Sequence, residues 1–85
     1  MYQITFSKSA EKEVLDLPKK IGTQILAKID SLAINPRPSG CKKIVGSLNS
    51  YRIRIGDYRV LYTIEDDQLI VDVVKVGHRR EAYKR

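Results

Sequence analysis

Hydrophobic and polar residues alternate with period two from Tyr51 to Ile64, in the run Y-R-I-R-I-G-D-Y-R-V-L-Y-T-I, on both sides of Gly56-Asp57. Alternation of this kind marks half-buried strands, and Gly-Asp between two such runs signals a hairpin, because Gly accepts φ > 0. With Gly56 and Asp57 as the turn, Ile55 faces Tyr58, Arg54 faces Arg59, Ile53 faces Val60 and Arg52 faces Leu61. One face then carries Tyr51, Ile53, Ile55, Tyr58, Val60 and Tyr62. The other carries Arg52, Arg54 and Arg59.

The rest of the chain builds outward from this hairpin. Tyr2, Ile4 and Phe6 alternate with Gln3 and Thr5, which predicts a short first strand. Ser7 or Ser9 can cap a helix, and Ala10, Val14 and Leu17 at i, i+4 and i+7 predict an amphipathic helix over Lys8–Leu17. Pro18 interrupts it and suits the first turn of a second helix running to about Ile34. The apolar line of that helix is Ile21, Ile25, Ile29 and Leu32, and Asn35-Pro36 ends it. Arg37 to Ser50 is a long connection, with Ile44, Val45 and Leu48 expected to tack it to the core. After a polar turn at Glu65–Gln68, Leu69–Val76 is apolar enough to be a central strand. Its expected faces are Leu69, Val71 and Val73 on one side and Ile70, Val74 and Val76 on the other. A turn centred on Asp66-Asp67 sets Val73 beside Val60 and Asp72 beside Leu61, on the arginine face.

The element order is therefore β-α-α-β-β-β. An amphipathic helix pair and a half-apolar sheet each need a partner layer. The expected fold is a two-layer α+β domain, a helical hairpin on one face of an antiparallel-rich four-stranded sheet, with residues 1–85 as a single domain. The arginines point from the opposite, open face.

Charge changes what that face means. The chain carries a net charge of +6, which suggests a polyanionic partner, nucleic acid before membrane. Like charges directly opposite in a sheet are destabilising. A cluster of arginines there is either a solvated surface or a phosphate site, and with this net charge the phosphate site is the reading adopted. No apolar run approaches the ~20 residues of a membrane span, and M-Y-Q-I-T-F does not read as a signal peptide. Cys41 is the single cysteine, which suits a reducing cytoplasm. One His and one Cys far apart suggest no metal site, and no cofactor is expected.

Two stretches, L-N-S-Y-R-I-R-I-G-D-Y-R-V-L-Y and V-V-K-V-G-H-R-R-E-A-Y, resemble the RelE/ParE superfamily of bacterial toxins. The resemblance extends to L-P-K-K at Leu17–Lys20 and K-I-V-G at Lys43–Gly46. It implies a type II toxin held silent by a cognate, acidic, RelB-like antitoxin. RelE-type members are ribosome-dependent endoribonucleases that cleave mRNA in the ribosomal A site and stop translation. ParE-type members inhibit DNA gyrase without nuclease activity, and that is the alternative. A member that only binds its antitoxin and regulates DNA is a third reading.

Carried over by position, the resemblance implies RNA contacts at Arg52 and Arg54, phosphate stabilisation at Arg59 and Arg79, and an aromatic role at Tyr83. His78 stands where many members place a histidine ahead of that arginine. The best-known RelE branch has lysines where this chain has Arg52 and Arg54. Arginine keeps its proton, so these two can clamp phosphate but not transfer protons. Proton transfer then falls to His78, Tyr83, the RNA or the ribosome. His78 is either an acid-base group or a solvated histidine. Tyr83 either stacks on a base, moves a proton or pins the tail. Lys42 and Lys43 are expected to add phosphate contacts.

Overall fold

The computed structural model describes residues 1–78 and places two helices against one face of a five-stranded sheet. The strands are β1 (Gln3–Phe6), β2 (Lys42–Lys43), β3 (Ser50–Ile55), β4 (Tyr58–Glu65) and β5 (Ile70–His78), in the spatial order β1-β5-β4-β3-β2. β1 lies parallel to β5, and the other pairs are antiparallel. The two-layer α+β arrangement is the expected one. The sheet has a fifth strand because Lys42 and Lys43 pair with Arg52 and Tyr51.

Helix α1 spans Lys8–Leu15 and α2 spans Lys19–Ser31. Ser7 is the cap of α1, since its hydroxyl accepts from the Ala10 amide at 3.0 Å. Pro18 precedes the first turn of α2, where its missing N–H breaks no helical bond. Ala10 and Val14 of α1, with Ile25, Ile29 and Leu32 from α2 and its C-cap, are buried against Ile53, Val60, Tyr62, Ile64, Val71, Val73 and Val76 of the sheet.

The hairpin has the expected register, including Arg54 opposite Arg59 and Arg52 opposite Leu61. Gly56 takes φ 59° at the first of the two turn positions, the place a II′ turn reserves for glycine.

β5 departs from expectation. A bulge sets Leu61 opposite Lys75 but Tyr62 opposite Val73, so Val74 is the extra residue. The bulge reverses the alternation, and Val76 joins Val71 and Val73 in the core instead of facing away from them. Asp72 therefore pairs with Thr63, not Leu61, and accepts a 2.7 Å bond from the Thr5 hydroxyl. It lies five residues along β5 from Gly77, the partner of Arg59, roughly 16 Å away at strand rise. It is too far away to pair with Arg59.

Leu69 is not part of the strand. It sits in the turn with φ 56°, the left-handed region. A branched side chain there costs roughly 1–2 kcal/mol. Leu69→Gly is expected to raise stability by about 0.5–1 kcal/mol in urea unfolding, since part of the relief is lost with the half-exposed side chain.

Val45 and Leu48 do not tack the long connection down: they are 99% and 91% exposed. Polar contacts hold it instead. The Ile44 amide donates to the Ser50 carbonyl at 2.8 Å, and the buried Tyr62 hydroxyl donates to the Pro36 carbonyl at 2.7 Å.

Candidate functional site

The hairpin puts two cross-strand cation pairs side by side. Arg54 lies opposite Arg59, and Lys42 lies opposite Arg52. Directly opposed residues on one face have Cβ atoms about 4.5–5.5 Å apart. Arg52 and Arg54 are two positions apart on one strand, so both pairs share the face that the helices leave uncovered. Lys42, Arg52, Arg54 and Arg59, with Gly40 and Ile53, line one small cleft of about 70 Å³. Arg59 forms its floor and is only 7% exposed, the one charged residue buried among those described. Gly77 stands opposite Arg59 on β5 and has no side chain to displace the guanidinium.

Lys43 pairs with Tyr51 and so turns to the other face of the sheet, away from the cleft. His78 also leaves the cleft. It pairs with Tyr58, and the two rings meet edge to face with centroids 5.4 Å apart at 73°. Tyr58 shares its face with Val60, so His78 lies on the helix side, in a cavity of about 400 Å³ bounded by Glu13, Asp16, Leu17 and Pro18 of the α1–α2 joint. His78 and the cleft thus occupy opposite faces of the same end of the sheet. Arg79 and Tyr83 lie outside the described residues. Among the described residues, no three His, Cys, Asp or Glu side chains converge to hold a metal ion, and no helix is long and apolar enough to cross a membrane.

Residues 4–83, nearly the entire chain, match the profile of the ParE toxin of type II toxin-antitoxin systems, parDE. The chain belongs to the RelE/ParE toxin superfamily. Within it, the named relatives lie on the RelE side. The chain is 33% identical to the putative toxin RelE1 of Methanocaldococcus jannaschii, over 98% of this chain and 96% of that protein. It is 33% identical to a putative RelE-like toxin protein of Escherichia coli, over 95% of this chain and 86% of that one. The toxin fold of the intact E. coli RelBE toxin-antitoxin complex superposes with a TM-score of 0.82 at 28% identity, covering 92% of this chain and 96% of that one. The RelBE2 complex of Mycobacterium tuberculosis gives 0.81 at 26% identity, covering 92% and 98%. The protein is a RelE-like toxin of a type II toxin-antitoxin system.

Two features of this RelE-like toxin had weak or no sequence signals. Gly40 lines the cleft with φ 93°, and the only hint was an S-G pair ahead of Lys42. Arg37 anchors the loop that carries Gly40, through partners far away in sequence. Its Nη1 and Nη2 donate to the two Asp66 carboxylate oxygens at 3.3 and 2.9 Å, and its Nε donates to the Tyr51 hydroxyl at 3.2 Å. The guanidinium also lies 5.2 Å from the Tyr51 ring centroid. The Tyr2 hydroxyl completes the cluster with a 2.6 Å bond to Asp66.

Hydrogen bonds from Arg37 first, then from Tyr2, hold the Asp66 carboxyl below its ordinary value of 3.8. A carboxyl lowered in the fold stabilises it above the unfolded value and loses that contribution as pH falls through the folded value. The pair is exposed, so the effect is small. Asp66→Asn is expected to lower the melting temperature slightly near neutral pH. The gap to the parent should close below about pH 4, which thermal melts across pH would show.

Proposed function

We propose that this RelE-like toxin is a metal-independent endoribonuclease that cleaves mRNA in the ribosomal A site, stops translation in the cytoplasm, and is silenced by an acidic RelB-like antitoxin. The observation that carries this reading is the convergence of Lys42, Arg52, Arg54 and Arg59 in one cleft on the uncovered face. Four mutually repelling cations in so small a space suit a phosphodiester better than water. Family membership and the RelE names of its relatives agree with a nuclease. The RelE structures it resembles include complexes with RelB antitoxins.

The reaction that these groups suit uses the substrate's own 2′-hydroxyl. Its oxygen bonds to the adjacent phosphorus while the bond from phosphorus to the 5′-oxygen breaks. One proton leaves the 2′-oxygen and one arrives at the departing 5′-oxygen. The products are a 2′,3′-cyclic phosphate and a 5′-hydroxyl. Arg52 and Arg54, with Lys42, orient the backbone, and Lys43 adds an outlying charge. Arg59, joined by Arg79, stabilises the charge growing on the phosphoryl oxygens. His78 and Tyr83 are the candidates for proton transfer. Because His78 packs on Tyr58 across the sheet from the cleft, charge stabilisation by Arg59 is the larger effect. His78→Gln is accordingly expected to slow cleavage by about tenfold or less, below the 10²–10⁴ usual for a general acid or base. Single-turnover rates on programmed ribosomes measure it.

The test of the function is to express the chain without antitoxin, map 5′ ends on ribosome-bound mRNA, and follow protein synthesis and DNA supercoiling separately. New ends within the A-site codon, with supercoiling unchanged, are expected. Continued translation with stalled gyrase would overturn the nuclease in favour of the ParE-like alternative.

A further inference from the structure

Parallel pairing between β1 and β5 ends at Phe6 opposite Val73. Ser7 then turns the chain into α1, its amide donating to the Val73 carbonyl and its hydroxyl to the Val74 carbonyl, both at 2.9 Å. Beyond that point β5 continues to His78 with β4 on one side and, among the described residues, no strand on the other. An open edge of this kind leaves amides without a ladder partner, and the bulge at Val74 has already loosened the pairing.

Glu13 takes the place of the missing strand. From α1 its Oε1 accepts the Val76 amide at 2.8 Å, and its Oε2 accepts the Lys75 ammonium at 3.1 Å. Both contacts are partly buried and join residues more than 60 positions apart in sequence. A carboxylate accepting a backbone amide makes a short, charge-assisted bond. What it holds is the segment facing the cleft's floor: Val76 lies opposite Val60, Gly77 opposite Arg59 and His78 opposite Tyr58.

We propose that Glu13 is a positioning residue for cleavage: by clamping the Val76 amide it keeps Gly77 in register under Arg59 and holds the guanidinium at its working height. The catalytic part of this proposal rests on the nuclease reading above; the clamp itself does not. Glu13 does not line the cleft, although it borders the cavity on the helix side that holds His78, and Lys75 orients the carboxylate.

The test uses the full chain and three variants, Glu13→Ala, Glu13→Gln and Lys75→Met, in two measurements. The first is amide hydrogen exchange by NMR. Glu13→Ala is expected to speed exchange at Val76 by about tenfold or more, with the core amides of Tyr62 and Val71 unchanged, while Glu13→Gln, which keeps an acceptor oxygen, stays close to the parent. The second is single-turnover cleavage of mRNA on programmed ribosomes. Glu13→Ala is expected to lower the saturating rate about tenfold and leave the half-saturating ribosome concentration within about twofold. Glu13→Gln should recover most of the rate, and Lys75→Met should lie near the parent. Unchanged Val76 exchange in Glu13→Ala would remove the clamp. Exchange raised equally through the core would reduce Glu13 to a general folding role and overturn the proposal. A parental cleavage rate in Glu13→Ala, with Val76 loosened, would overturn the positioning role. A parent chain that cuts nothing would end the nuclease reading and the positioning role with it, and the exchange data would still decide the clamp.

Discussion

Arg59→Ala is expected to slow cleavage of ribosome-bound mRNA by about 10²–10³-fold, corresponding to roughly 2.7–4 kcal/mol of lost charge stabilisation from one preorganised donor. The size follows from where the residue sits. Arg59 is 7% exposed and faces Arg54 across the hairpin, with Arg52 and Lys42 lining the same cleft. A guanidinium so enclosed needs little reorganisation when charge develops on a phosphate beside it. Stability should move far less than activity. Alanine removes a cation repelled by Arg54, which favours the fold, and removes a packed aliphatic stem, which disfavours it. Urea unfolding should therefore place the variant within about 1 kcal/mol of the parent. Arg59→Lys keeps the charge but loses the planar fork, so it should recover only part of the rate. Lys42→Ala should behave differently, weakening ribosome binding and its salt dependence more than the saturated rate. If Arg59→Ala cuts within threefold of the parent, the cleft is a binding surface and the reacting phosphate lies elsewhere.

The second large effect is on the fold. Tyr62→Ala is expected to cost about 3–5 kcal/mol, the range for deleting a large buried aromatic. A domain this small has a total stability on the order of 5–15 kcal/mol, so the variant should be largely unfolded at moderate urea. Tyr62 is fully buried, and its ring stacks on Tyr51 with centroids 6.0 Å apart and 25° between planes. Burial first, and then neighbouring Cys41, raise its phenol above the ordinary tyrosine value. The proton stays on, and the hydroxyl donates to the Pro36 carbonyl. Tyr62→Phe separates this bond from the packing. It should cost about 1–3 kcal/mol, because a buried carbonyl is left without its donor. The loop it releases carries Gly40 at the lip of the cleft, so the half-saturating ribosome concentration should rise as well. A Tyr62→Phe variant as stable as the parent would mean that water replaces the hydroxyl at no cost.

Much of the cleft is legible in the amino-acid sequence. The run on either side of Gly56-Asp57 alternates with Leu61 as its one exception, and a two-residue turn leaves one register open to it. Arg54 therefore had to oppose Arg59 and share a face with Arg52. Lys42 was expected as a phosphate contact from its charge, yet nothing near it predicts a strand of two residues. Its place opposite Arg52 depends on the returning chain, which Ile44 and Ser50 close through a backbone bond. Arg37 and Asp66, or Glu13 and Val76, show no pairing signal at all, since each contact joins distant segments.

β5 shows where local pattern ends. Ile70–Val76 carries its two charges, Asp72 and Lys75, on opposite faces of a regular strand, so the pattern favours neither face for burial. The bulge that admits Val74 and returns Val76 to the core was chosen by the helices above, which need an unbroken apolar floor. The same shift carried Asp72 away from the arginines and set Gly77 beneath Arg59. By itself, then, the amino-acid order determined what depends on neighbours along the chain: helix and strand periods, the tight turn, and the cation-bearing side of one hairpin. Tertiary structure alone decided strand slippage in β5, the placing of Gly77 opposite Arg59 and the exile of His78 to the helix side. Those outcomes are settled by competition among contacts across the whole sheet, where burying one face well outweighs any local preference.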